Sequence, residues 1–125
     1  MPRKKLPPRK KVLYGAIKEI ANDWGSYFFS KNTMSFFKSK LAGPAYEAGD
    51  SIYFGTQEAV YGTARVKYTV RRMNLREHTI RTVGRDNVFY SKRDLGYAIR
   101  ICCDLGEEEA LLTCPEVFGY HSEGN

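Results

Sequence analysis

Residues 63–73, TARVKYTVRRM, alternate polar and apolar side chains over most of their length. A period of two commits the centre of the chain to a β-strand with two chemically different faces. Val66, Tyr68 and Val70 project to one side and Arg65, Lys67, Thr69 and Arg71 to the other. The expectation is a sheet with one apolar face against the core and one basic face outside. SIYFGTQ (51–57) alternates in the same way, and HTIRTVG (78–84) is short and rich in β-branched residues. The connections EAVYGT and NLREH are short enough for hairpins, so an antiparallel meander follows.

Helical periods flank these strands. Leu13, Ala16, Ile17, Ile20, Ala21 and Trp24 recur at helical spacing, with Gly25 placed to end the helix. A second helix is expected in NTMSFFKSKL, capped by Asn32 or Thr33 with Met34, Phe37 and Leu41 along one side, until AGPAYEAGD breaks it. In SKRDLGYAIRICCDLG, Ser91 and Asp94 resemble a capping box, Leu95, Ala98, Ile99, Cys102 and Leu105 form a buried stripe, and Gly106 serves as the residue after the cap. EEEALL has room for one further turn. The fold class expected is α+β in the order α-α-β-β-β-α, a three-stranded antiparallel sheet with helices packed on one face. A chain of 125 residues supports one such core. That core is expected over residues 12–106, between a basic disordered arm (1–11, with Pro2, Pro7 and Pro8) and an acidic C-terminal tail (107–125).

The net charge of +6 is unevenly placed. Residues 1–11 hold six cations and no acid. The stretch 65–85 holds Arg65, Lys67, Arg71, Arg72, Arg76, Arg81 and Arg85 against Glu77, and from Asp104 onward there are six acids and no Lys or Arg. A solvated face ordinarily mixes both signs. Cations of one sign, mostly arginine, suit phosphate oxygens and base faces, which the guanidinium fork and plane both fit. The acidic end offers an intramolecular alternative, in which the tail lies over the basic strands and excludes nucleic acid.

Catalytic motifs are absent: there is no G-x-S-x-G, P-loop or H-E-x-x-H, and His78 and His121 fall in a turn and a tail. Cys103, Cys114 and His121 sketch a zinc set, yet no C-x-x-C supports it and adjacent helical cysteines diverge by about 100°. A buried thiol at Cys102 and a surface or half-buried one at Cys103 are the better expectation. The chain is therefore expected to be no enzyme, with no cofactor and no metal. With neither an apolar leader segment nor a membrane-spanning run, it is expected in the cytoplasm, with no membrane partner.

From Met34 the order helix, strand, strand, strand, helix resembles the double-stranded-RNA-binding domain over about residues 33–106. In that family the second helix opens with a basic run on phosphates across the major groove, while the first helix and a strand–strand loop reach two minor grooves. The resemblance puts Ser91, Lys92 and Arg93 at the matching position, and Lys38 and Lys40 on or near the first helix. TMSFF, YFGTQE, KYTVRR and IRTVG, in this order, are also similar to patterns in small uncharacterised domains carried by phages and plasmids. That likeness implies a mobile-element protein with an anti-defence role, such as inhibition of a CRISPR nuclease, in the host cytoplasm.

The function expected is a small non-enzymatic nucleic-acid-binding domain, duplex favoured and RNA or DNA undecided. Its phosphate contacts would be Arg65, Lys67, Arg71, Arg72, Arg76, Arg81, Arg85, Lys92, Arg93, Lys38 and Lys40. The alternative is a phage-type inhibitor that binds a host protein or nucleoprotein complex, with Tyr53, Tyr61, Tyr90, Phe118 and Tyr120 as anchors.

Overall fold

The computed structural model describes residues 10–24, 39–59, 61–62, 64–84 and 92–113. Helix α1 (Tyr14–Trp24) is followed by strands β1 (Lys40–Ala48), β2 (Ser51–Ala59), β3 (Val66–Asn74) and β4 (Thr79–Thr82), then helices α2 (Lys92–Leu105) and α3 (Glu107–Thr113). The strands form one antiparallel sheet in the order β1-β2-β3-β4.

The sheet has four strands where the sequence led us to expect three. The additional strand, β1, runs through LAGPAYEA, the stretch read as a helix breaker, and Leu41 lies in it opposite Thr56 rather than on a helix. The rest of the expected second helix, including Asn32, Thr33, Met34 and Phe37, lies outside the described residues. Gly43 and Pro44 do interrupt the ladder. From Ala42 to Tyr46 the chain takes four steps against two from Gly55 to Tyr53 on β2, which is a bulge. Gly43 supplies the φ of +72° there, and Pro44, which has no N–H to donate, sits where pairing is already broken on an edge strand. A breaker signal and an edge-strand bulge thus look alike in sequence.

Helices cover both faces of the sheet, which corrects the expectation of one covered face. Along β2 every residue from Ser51 to Thr56 is buried. Tyr53 belongs to a cluster with Val70, Leu95, Ala98, Ile99 and Cys102, whereas Ile52 and Phe54 belong to one with Met73, Ile80, Ile17 and Ala21. Successive strand residues point to opposite faces, so α2 and α3 lie on one side and α1 on the other. On α1 the buried pair is Ile17 and Ala21, while Leu13, expected in the stripe, precedes the helix and is exposed. Leu105 is also exposed, because Gly106 (φ +84°) turns the chain into α3 at that point and Ala110 fills the core instead. The segment expected to add a turn is a seven-residue helix.

Two close contacts fix the layers. Leu95 lies over Gly55 and Gly43, and a Cβ on Gly55 would stand 2.7 Å from the Ala42 carbonyl oxygen and 2.8 Å from Leu95 Cδ2. On the far side the Trp24 ring stacks on His78, with centroids 5.0 Å apart and planes 10° from parallel. His78 sits at φ +56° in the β3–β4 turn, and the Asn74 side chain accepts hydrogen bonds from the Arg76 and Glu77 amides at 3.0 and 2.8 Å. The N-terminal strand approach is tied as well: the Val12 amide donates to the Ala45 carbonyl at 2.7 Å, and Lys11 bridges Tyr46. No helix among the described residues is long and apolar enough to cross a membrane.

The Gly55 contact leaves no room for a methyl group without moving backbone or Leu95. Gly55→Ala is expected to destabilise the fold by about 1–3 kcal/mol, read as a lowered urea midpoint with an unchanged denaturant slope.

Candidate nucleic-acid interface

The basic stretch does not form one face. Arg71 shares its face with Met73, packed on the α1 side, and is 3% exposed; its Nε donates to Thr56 Oγ1 at 2.8 Å. Burial lowers its pKa from the usual guanidinium range, and the Glu58 carboxylate opposes that shift. Arg71 is therefore a structural cation and not an external phosphate contact, which corrects the expectation. Lys67, on the same face, is half-buried and stands opposite Glu58 across the β2–β3 ladder.

Arg72 and Arg81 point to the opposite side and are direct partners in the β3–β4 ladder. Like charges at opposed positions repel, and Glu107 resolves this at the start of α3. Its Oε2 accepts from Arg72 Nη1 at 3.0 Å and from Arg81 Nη2 at 2.5 Å, and its side chain is 15% exposed. Arg72 Nε also donates to Ser51 Oγ at 2.7 Å, which fixes the guanidinium plane. The Tyr53 phenol, from the neighbouring strand, lies near Glu107 as well. Burial first, and the Glu107 charge second, push the Tyr53 phenol far above its ordinary range, so it stays a donor. Glu107 was legible only as part of an acidic tail, although Gly106 followed by three acids and then Ala110 and Leu111 is a helix-start pattern.

The remaining described cations lie elsewhere. Arg76 is on the β3–β4 turn, largely exposed, with Asp50 at 4.0 Å. Lys40, at the start of β1, faces Gln57, and Arg65 lies just before Val66, the partner of Ala59; both are exposed at the end of the sheet where β2 turns into β3. Helix α2 runs alongside β1, since Leu95 sits over Gly43 while Cys103 Sγ reaches the Tyr46 carbonyl at 3.8 Å. Its first residues, Lys92 and Arg93, are exposed and lie toward that same end. Lys40, Arg65, Lys92 and Arg93, from three parts of the sequence, thus lie toward one end of the sheet, with Glu58 at that end as well. Arg85 and Lys38 lie outside the described residues, as does Ser91.

Of the aromatic anchors, Tyr53 is buried, which removes it from any surface, and Tyr61 is fully exposed in the β2–β3 turn. Tyr90, Phe118 and Tyr120 lie outside the described residues. Cys102 is buried and Cys103 half-buried, as their helical positions implied. Burial, then the charges of Glu107 and Cys103, push the Cys102 thiol well above its ordinary value, against a smaller opposing effect of Arg81. Among the described residues no group of three or more His, Cys, Asp or Glu could hold a metal, and Cys114 and His121 lie outside them.

Alkylation follows from this geometry, because the thiolate is the reactive form. With iodoacetamide at pH 8, peptide mapping is expected to show modification at Cys103 before Cys102, with Cys102 reacting only once denaturant is added.

Residues 15–98, more than half of the chain, match a family of unknown function (DUF7447). No curated protein and no solved structure matches.

Proposed function

The chain belongs to the DUF7447 family of unknown function, and we propose that it is a non-enzymatic module that binds the phosphate backbone of nucleic acid, duplex in preference to single strands. The observation that carries this reading is the placing of Lys92, Arg93, Lys40 and Arg65 toward the end of the sheet where β2 turns into β3. Cations brought toward that end from a strand start, a hairpin and a helix start outnumber Glu58 there and give it a net positive charge. Such a positive end neutralises phosphates and displaces condensed counterions. The arm residues Lys10 and Lys11, also exposed, add non-specific attraction.

Tyr61 favours a second reading. A fully exposed tyrosine at a hairpin tip is a good anchor for a protein surface. In that reading the chain is an anti-defence inhibitor of a host protein or nucleoprotein complex. A pull-down from nuclease-treated lysate separates the two, since a protein partner survives the nuclease.

The direct test is fluorescence anisotropy with labelled RNA and DNA duplexes across a salt series. Affinity is expected to fall steeply with salt, and Lys92→Ala with Arg93→Ala should weaken binding to all sequences alike, each lowering the log–log salt slope by about one. Salt-insensitive binding, or a loss confined to one sequence, would overturn the phosphate role.

A further inference from the structure

The contact between α3 and the β3–β4 edge has the chemistry of an occupied anion site. Two guanidiniums, from Arg72 and Arg81, converge on a single carboxylate oxygen, with the Tyr53 phenol near it. Ser51 holds one guanidinium in plane. Two planar forks arranged around one anionic group make the donor set that phosphate oxygens take. The cross-strand pairing of Arg72 with Arg81 also means that the site needs an anion of some kind: without one, two cations face each other on neighbouring strands.

The resident anion arrives on a weakly held element. Helix α3 is seven residues long and joins α2 through Gly106 at φ +84°. Ala110 is fully buried and Leu111 partly so, whereas Glu108, Glu109 and Thr113 are exposed and Leu112 is 74% exposed. Among the described residues, apart from Glu107, the helix therefore rests on a small apolar contact. Elements with few buried apolar contacts are the ones that open locally at low cost.

We propose that Arg72 and Arg81 form a second phosphate-binding site, that Glu107 occupies it in the closed state, and that α3 is a lid which a phosphate group displaces. On the nucleic-acid reading, on which the identity of the natural ligand rests, the lid couples duplex binding at the Lys92 end to release of two further arginines. Glu107 then sets an internal competition: its carboxylate and a backbone phosphate cannot both hold the same two guanidiniums.

The test uses the full chain and inorganic pyrophosphate as the probe, followed by amide hydrogen exchange and by NMR of the arginine Nε–H groups. In the wild type, pyrophosphate is expected to speed exchange of the α3 amides and to shift the Arg72 and Arg81 Nε–H resonances. Glu107→Gln, which keeps shape and removes charge, is expected to bind pyrophosphate more tightly, and Arg72→Ala in that background to remove the gain. The same Glu107→Gln chain should bind duplex with a log–log salt slope steeper by about one to two. Unchanged α3 exchange in the wild type at saturating pyrophosphate would overturn the lid, as would a folded Glu107→Gln chain with no gain. The wild-type measurement decides the matter even if the variant fails to fold. Absence of duplex binding by the wild type, with the pyrophosphate response intact, would retire the nucleic-acid reading and leave the lid standing. Duplex binding through Lys92 and Arg93 with no α3 response would do the reverse.

Discussion

The architecture depends on β2 being covered on both faces. A strand buried from Ser51 to Thr56 cannot pair apolar with solvated positions, so each of its side chains must meet a layer of helix or a satisfied polar partner. Gly55 makes this possible on one side, because the missing side chain lets Leu95 descend onto the sheet. Ile52 and Phe54 make it necessary on the other, where Ile17 and Ala21 close the gap. Thr56 and Ser51, the polar members of the run, are used as acceptors for Arg71 and Arg72. The burial of β2 therefore dictates where the helices lie and also which arginines become structural.

Much of this was legible in sequence, and the failures have physical causes. The helical periods at 13–24 and 91–106 and the alternation at 51–57 and 63–73 each found their element. The helical periods and the β3 alternation work because one residue type per face is enough to set a period, whereas β2 is buried on both faces. β1 escaped because Gly43 and Pro44 serve a bulge there, and their local meaning, an interrupted ladder, does not reveal that pairing resumes at Tyr46. The second helical layer escaped because alternation in β3 placed arginine where a solvated face was expected. Burial of Arg71 against Thr56 shows that a long side chain with a fixed donor can complete a covered face.

The candidate interface was harder to read than the fold. Counting charge along the chain finds a positive block in the sequence, but charge is felt in space, and the fold redistributes it. Arg71 goes inward, Arg72 and Arg81 turn to Glu107, and Arg76 moves to a turn. What shares one end of the sheet instead is a set that no local window contains: Lys40, Arg65, Lys92 and Arg93 are separated in sequence and come to that end only through the antiparallel register and the direction of α2. Glu107 shows the same limit from the acidic side, since its role follows from which strand pair it lands on.

The bulge and the N-terminal tie of β1 have a consequence for how copies of this chain behave toward one another. An open sheet presents unpaired amides and carbonyls along its outermost strands, and these invite another chain to add on. Here the Val12 amide takes the Ala45 carbonyl, Lys11 bridges Tyr46, and Gly43 and Pro44 bend the strand between them out of register. The opposite border is only four residues long and carries Arg81. Among the described residues neither border offers a long flat strand, an arrangement that disfavours edge-to-edge growth into fibrils and that on one side rests on the same residues that hid β1 from the sequence.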